Sequence, residues 1–134
     1  MISTRGRYAL RVMIDIGLNQ KDGYVPMKEV ANRQGLSLKY LEQILPALTR
    51  NGLVQGLHGK GGGYRLTRKP EEYRVGEILR ITEKDLAPVS CLAEGAQKCD
   101  RASECKTISF WRGLNEVTNA YLDSKTLLDL MEEN

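Results

Sequence analysis

With 134 residues and 41% hydrophobic side chains, the chain can fill a single core, which predicts one compact domain with an appended helix. No stretch approaches the roughly 20 apolar residues that span a bilayer, and Arg7, Arg11 and Asp15 break up the apolar residues near the N-terminus, so neither a membrane protein nor a secreted precursor is expected. Three cysteines are too few, and odd in number, for a disulfide scaffold; they point to a reducing, cytoplasmic compartment where thiols stay free to ligate metal or react. The net charge of +3 is unevenly divided: residues 1–74 carry 13 Lys/Arg against 6 Asp/Glu, a balance of +7, and residues 75–134 carry 7 against 11, a balance of −4. A basic half is the electrostatic footprint of a polyanion-binding surface, although a solvated basic face with no ligand would look the same on charge alone.

From Thr4 to about Asn19, Tyr8, Val12, Met13, Ile16 and Gly17 recur at helical spacing behind a Ser3 or Thr4 cap. Lys21–Gly23 reads as a turn, and Pro26 opens a second helix over Met27–Gln34 that Gly35 ends. Ser37 caps a third helix running to about Asn51, with Leu41, Ile44, Leu45 and Leu48 facing inward and Pro46 expected to bend or weaken it. Leu53–Leu57 and Tyr64–Thr67 read as two strands of a hairpin joined by the glycine-rich loop Gly59–Gly63. Val75–Thr82 is a short helix, and Ala87–Ser103 is a long loop, which usually has a function. A long helix then runs from Ser103 to about Asp123, its stripe made of Ile108, Trp111, Leu114, Val117, Thr118, Tyr121 and Leu122, and Thr126–Met131 adds a last apolar turn.

Val30-Ala31, Gly35-Leu36, Leu41 and Ile44 have the spacing of a helix-turn-helix: a small residue allows close packing, a glycine allows the tight turn, and apolar residues bury the second helix's inner face. Followed at once by a glycine-rich hairpin, this becomes a winged helix; the fold class is mainly α with a small β-hairpin wing, plus a long C-terminal dimerisation helix. In such a fold the second helix lies in a major groove. Its exposed residues are expected to be Ser37, Leu38, Lys39, Tyr40 and Gln43, the ones able to reach base edges, with Gln43 suited to adenine and Lys39 and Tyr40 better placed for phosphates. The wing, from His58 through Lys60 to Tyr64, suits a minor groove or phosphates, and its lack of a P-loop's lysine and Ser/Thr spacing argues against nucleotide binding. The expected DNA-binding residues are Ser37, Lys39, Tyr40, Gln43, His58 and Lys60, and the expected boundaries are 1–82 for the DNA-binding domain, 83–105 for a cysteine-bearing loop and 106–134 for the dimerisation helix and tail.

Cys91, Cys99 and Cys105 follow the pattern Cys-(x7)-Cys-(x5)-Cys, too wide for a zinc knuckle. Three soft thiolates on one loop suit an iron–sulfur cluster with a fourth ligand from elsewhere; three unrelated free cysteines are the alternative. Cys105 is expected in the first turn of the long helix, where the helix dipole favours the thiolate. No acid–base or nucleophile constellation accompanies these residues, which argues against an enzyme.

Ser3-Thr4-Arg5-Gly6-Arg7-Tyr8-Ala9, Leu36 through Gln43, Gly59-Lys60-Gly61-Gly62-Gly63-Tyr64, Val75-Gly76-Glu77-Ile78 and the three cysteines before Phe110-Trp111 together resemble the IscR-like iron–sulfur cluster regulators, the winged-helix family that also includes NsrR and CymR. The resemblance implies a homodimer held by the long helix, a [2Fe-2S] cluster on Cys91, Cys99 and Cys105, binding to a palindromic double-stranded DNA operator, and control of iron–sulfur cluster assembly genes. A thiol-redox or nitric-oxide sensor on the same scaffold is the alternative. The chain departs from the family in three places. Ile108 stands where a ligating histidine is expected, leaving Glu42, Asp100, Glu104, a partner-subunit group or an exogenous ligand as candidates, and Arg7 occupies the place of an aspartate that NsrR-like proteins use. The first cysteine spacing is longer, and His58 replaces the wing arginine, with Lys60 nearby.

Overall fold

The computed structural model describes residues 2–97, 99–101 and 103–133. Helix α1 spans Thr4–Asn19, with Ser3 as its N-cap; its inner face buries Ala9, Val12, Met13 and Ile16. The turn after it leads to Val25, which the sequence does not mark as a strand and which pairs with Tyr64 through two backbone hydrogen bonds of 2.8 and 2.9 Å. Helices α2 (Met27–Gln34) and α3 (Leu38–Arg50) follow, and α3 runs unbroken through Pro46. Pro46 lies on the exposed side, and Leu45 and Leu48 beside it are buried, so tertiary packing holds the turns around the missing backbone donor.

Strands β1 (Val54–Leu57) and β2 (Gly63–Leu66) are antiparallel, with Val54 opposite Leu66 and Leu57 opposite Gly63. Gly63 has a φ of 147°, and a Cβ there would run into the Val25 backbone, so this position needs glycine for both conformation and close approach. Tyr73, which periodicity does not single out, is fully buried below the wing. Its hydroxyl donates to the Leu53 carbonyl at 2.6 Å and accepts from the Thr67 and Arg68 amides at 2.9 and 3.1 Å, tying both strand ends to the segment before α4 (Val75–Thr82).

Helix α5 covers Ile108–Ser124, so it begins five residues later than the expected Ser103. Its first i to i−4 bond runs from the Trp111 amide to the Thr107 carbonyl, where the apolar stripe itself begins. None of its residues is buried. Helix α6 (Leu127–Met131), opened by a Thr126–Asp129 capping box, folds back onto the first unit: Leu127 is fully buried in the core, and its amide bonds to the Tyr73 carbonyl at 3.0 Å. The core thus draws on α1, α2, α3, the wing strands, α4 and α6, and leaves α5 outside.

Candidate nucleic-acid interface and cysteine segment

Gly35 closes α2 in the left-handed conformation at φ 65°, with its amide and that of Leu36 returning to the Ala31 carbonyl, and Ser37 opens α3 by accepting from the Tyr40 amide at 3.0 Å. The small, buried Ala31 lets α3 pack closely through Leu41, Ile44, Leu45 and Leu48. That burial decides the other side: Lys39, Glu42, Gln43 and Pro46 are exposed, and Lys39 and Gln43, four residues apart, share one face. Tyr40 is half-buried, its ring edge-on to Tyr8 at 5.6 Å between centroids. Ser37 is exposed, its oxygen engaged as the cap. His58 and Lys60 are exposed at the tip of the wing, on either side of Gly59, whose carbonyl takes the Gly62 amide at 3.0 Å.

Several basic residues of the N-terminal half are committed internally. Arg33 donates to both oxygens of Asp15 at 2.7 to 3.2 Å, and Gln34 adds a bond of 2.8 Å to the same carboxylate, which is only 2% exposed. The hydrogen bonds to Asp15 push the Arg33 pKa up, so its charge is fixed at every ordinary pH. Arg68 forks onto Glu77 at 2.7 and 3.0 Å with the same consequence. Lys39 and Lys60 are free of such carboxylate partners among the described residues.

Cys91 is exposed in a single 3-10 turn (Ser90–Leu92), Cys99 is exposed, and Cys105 is half-buried. Cys105 does not lie in the first turn of α5; it precedes that helix by three residues, because the helix starts at Ile108. The thiolate is favoured all the same, for a different reason. The Thr107 hydroxyl lies 3.5 Å from Cys105 Sγ, and this contact, with the Thr107 and Ile108 amides, lowers the thiol pKa below its ordinary value. Among the described residues no three His, Cys, Asp or Glu side chains come together as a metal-holding group, so Cys91, Cys99 and Cys105 are on one segment but not gathered at one point. Their donor chemistry fits an iron–sulfur cluster: three free, accessible thiols, one of them biased to the ligating form. Asp100 and Glu104 are exposed on the same segment, Glu42 is exposed on α3, and Arg7 is exposed on α1.

The segment is anchored where it leaves α4. Glu83 accepts from the Ser3 amide and hydroxyl, each at 2.7 Å, fixing the start of the segment to the N-terminus of α1. Arg80 binds Asp123 at 2.7 and 3.0 Å and Asn119 at 2.8 Å, fixing α4 to α5. On α5, Phe110, Leu114, Val117 and Tyr121 are exposed at helical spacing, with Ile108, Trp111, Thr118 and Leu122 half-buried beside them. Phe110, 66% exposed, belongs to this face although the sequence stripe passes it over.

A helix-turn-helix with a glycine-tipped wing and an outlying long helix defines a winged-helix DNA-binding regulator. The chain belongs to the Rrf2 family, described as iron-dependent transcriptional regulators, whose model matches residues 2–133. It is 37% identical over 133 residues to the HTH-type transcriptional regulator IscR of Aliivibrio salmonicida, covering 99% of this chain and 78% of that one. Among solved structures it is similar to T. potens IscR, with 36% identity, a TM-score of 0.78, and coverage of 98% of this chain and 86% of that one. It is also similar to CymR (YrzC), the global cysteine regulator of B. subtilis, with 35% identity, a TM-score of 0.75 and coverage of 98% and 95%. The protein is a helix-turn-helix transcription regulator and not an enzyme. Among the described residues no helix is long and apolar enough to cross a membrane.

Proposed function

We propose that the protein is a homodimeric regulator that binds a palindromic operator and adjusts its DNA affinity through an iron–sulfur cluster, [2Fe-2S] being favoured, held by Cys91, Cys99 and Cys105. The observation that carries the reading is the placement of all three cysteines on the one segment that joins the DNA-binding unit to α5, its start held by Glu83 on Ser3. When bound, such a cluster supplies a redox-active and oxidation-labile centre. The chain's own residues do the rest. Cys105 offers a thiolate stabilised by Thr107, the exposed Cys91 and Cys99 can be drawn toward it, and Glu83 keeps one end of the segment on α1. Glu42, Asp100, Glu104 or a partner-subunit group would complete the ligand set in place of the histidine that Ile108 replaces.

In this reading α3 lies in the major groove, with Gln43 reading a base edge, Ser37, Lys39 and Tyr40 close to phosphates, and His58 and Lys60 at the minor groove. The exposed face of α5 supports a second copy as its cover, because Phe110, Leu114, Val117 and Tyr121 stay exposed along about three turns although α5 meets α4 through Asn119 and Asp123. Control of cluster assembly genes is inferred from the IscR relatives.

Protein isolated anaerobically should contain iron and sulfide and absorb in the visible, and each single Cys→Ala variant should lose most of both and shift in operator affinity. If all three variants kept full iron, or if loaded and cluster-free protein bound every selected duplex equally, the sensing reading would fail. Gln43→Ala should cost about 1–3 kcal/mol on the operator and little on scrambled DNA, whereas Lys60→Ala should weaken both. The accessibility of the thiols favours one second reading, a thiol-redox sensor. It predicts colourless protein whose mobility changes on oxidation.

A further inference from the structure

The inner face of α3 is seated by Leu41 and the residues that follow it, but the turn before Leu41 is only partly seated: Leu38 and Lys39 are exposed, and Tyr40 is half-buried against the edge of the core. This is the part of the helix that the proposed reading places against DNA, and beyond the core's hold on Leu41 a set of contacts from α1 supports it. The Tyr40 ring stands edge-on to Tyr8 at 5.6 Å and 84°, and the Arg11 guanidinium lies over the Tyr8 ring, 5.0 Å from its centroid. Arg11 is held in turn by the last residue of α2: its Nε donates to Gln34 Oε1 at 3.1 Å and its Nη2 to the Gln34 carbonyl. Gln34 donates to Asp15 Oδ2 at 2.8 Å, and Asp15 is gripped by Arg33.

We infer that Arg11 and Tyr8 form a bracket that positions the N-terminal turn of α3 for sequence reading, with Arg11 acting as a structural cation and not as a phosphate contact. The guanidinium meets an unpaired carbonyl at the C-terminus of α2, where positive charge is favourable, and lies over the ring that supports Tyr40. Its donors are aimed into the turn between the two helices. A cation used this way affects which bases the helix can address, through the angle at which Ser37, Lys39 and Gln43 are presented. It adds little to the general attraction for DNA. Lysine is a poor substitute, because one ammonium lacks the planar fork that reaches both Gln34 oxygens while lying over Tyr8.

The inference rests on the assignment of α3 as the reading helix, and its test separates the two. A duplex enriched from a random library by the wild-type protein serves as the specific probe and a scrambled duplex of equal length as the non-specific one, each measured across a salt series. Arg11→Met, which keeps the stem and removes the cation, and Tyr8→Leu, which leaves the charge unchanged, should each weaken the enriched duplex about tenfold. Both should leave the scrambled duplex within about twofold and keep the salt slope. Arg11→Lys should restore little of the loss, and Tyr8→Phe, which keeps the ring, should behave as wild type. Circular dichroism of each variant establishes that it is folded, and Tyr8→Leu carries the test if Arg11→Met is not. Equal losses on both duplexes, or a salt slope reduced by about one in Arg11→Met, would make Arg11 a phosphate contact and overturn the bracket. Intact discrimination in Arg11→Met and Tyr8→Leu, with discrimination lost in Gln43→Ala, would overturn it while leaving the reading helix in place. Intact discrimination in all three would remove both.

Discussion

Removing one oxygen from Tyr73 tests how the wing is attached. In Tyr73→Phe the ring still fills its fully buried site, so no cavity opens, and the effect is confined to three hydrogen bonds with backbone groups and a contact of 3.2 Å with the Thr67 hydroxyl, which keeps its bond to the Gly52 carbonyl. The Leu53 carbonyl is the most severe loss, because the bond to it is buried and a stranded acceptor there costs about 1–3 kcal/mol. The Thr67 and Arg68 amides are only part-buried, so water can replace the hydroxyl at a cost of about 0.5–1 kcal/mol each. The expected destabilisation is about 3 kcal/mol, a large share of the stability of a domain this size. Urea denaturation followed by circular dichroism measures it. Because the three bonds hold the ends of β1 and β2, hydrogen exchange in the wing should rise more than exchange in α1. A loss below about 0.5 kcal/mol would refute the assignment of the Tyr73 hydroxyl as the tie between wing and core.

Two further outcomes follow from the helix outside the core. Val117→Lys places a charge on a residue that is 67% exposed in the single chain, so α5 should keep its helicity while light scattering reports half the wild-type mass; an unchanged mass would exclude this face as the dimer contact. Hydrogen bonds from Arg80 hold the Asp123 carboxyl below its ordinary range, so the pair's stabilisation is complete above the unfolded carboxyl value near pH 4 and is lost as pH falls through the lower folded value. Asp123→Asn should therefore melt slightly below wild type at pH 7, and thermal melts should converge in strong acid; since both side chains are substantially exposed, the gap at neutral pH should be small.

What could be read from the sequence was local. The spans of α1, α2 and α3, the Ser37 cap, the left-handed Gly35 and the exposure of Lys39 and Gln43 are each dictated by residues a few positions apart, and the structure has them in those places, whereas Tyr40, read as exposed, is half-buried against Tyr8. What could not be read depends on distant partners. Val25 becomes a strand only because Tyr64 is beside it, and Tyr73 matters only because three backbone groups converge on its hydroxyl. Asp15 reads in the sequence as a charge interrupting an apolar run; it is in fact buried, because Arg33, eighteen residues away, meets it. Its position among the inward-facing Val12, Met13 and Ile16 was the available signal. The late start of α5 moved Cys105 out of the helix, a boundary that composition does not mark because Ser103–Thr107 contains no side chain strong enough to end a helical run.

The ion pairs found among the described residues join elements more than they add stability. Arg33–Asp15 joins α2 to α1, Arg68–Glu77 joins the wing's end to α4, and Arg80–Asp123 joins α4 to α5. The last two are partly exposed, and such pairs contribute between zero and about 1 kcal/mol, too little to decide whether the chain folds. Each nevertheless ties two elements together, and with Glu83 on Ser3 they form a series of polar links along a route from α5 to α4, from α4 to α1 and from α1 to α2. The cysteine segment begins at one junction on that route and ends where α5 begins. In the proposed reading, a rearrangement of the segment would act on such directional contacts without unfolding the core, which is the property a regulator of DNA affinity needs.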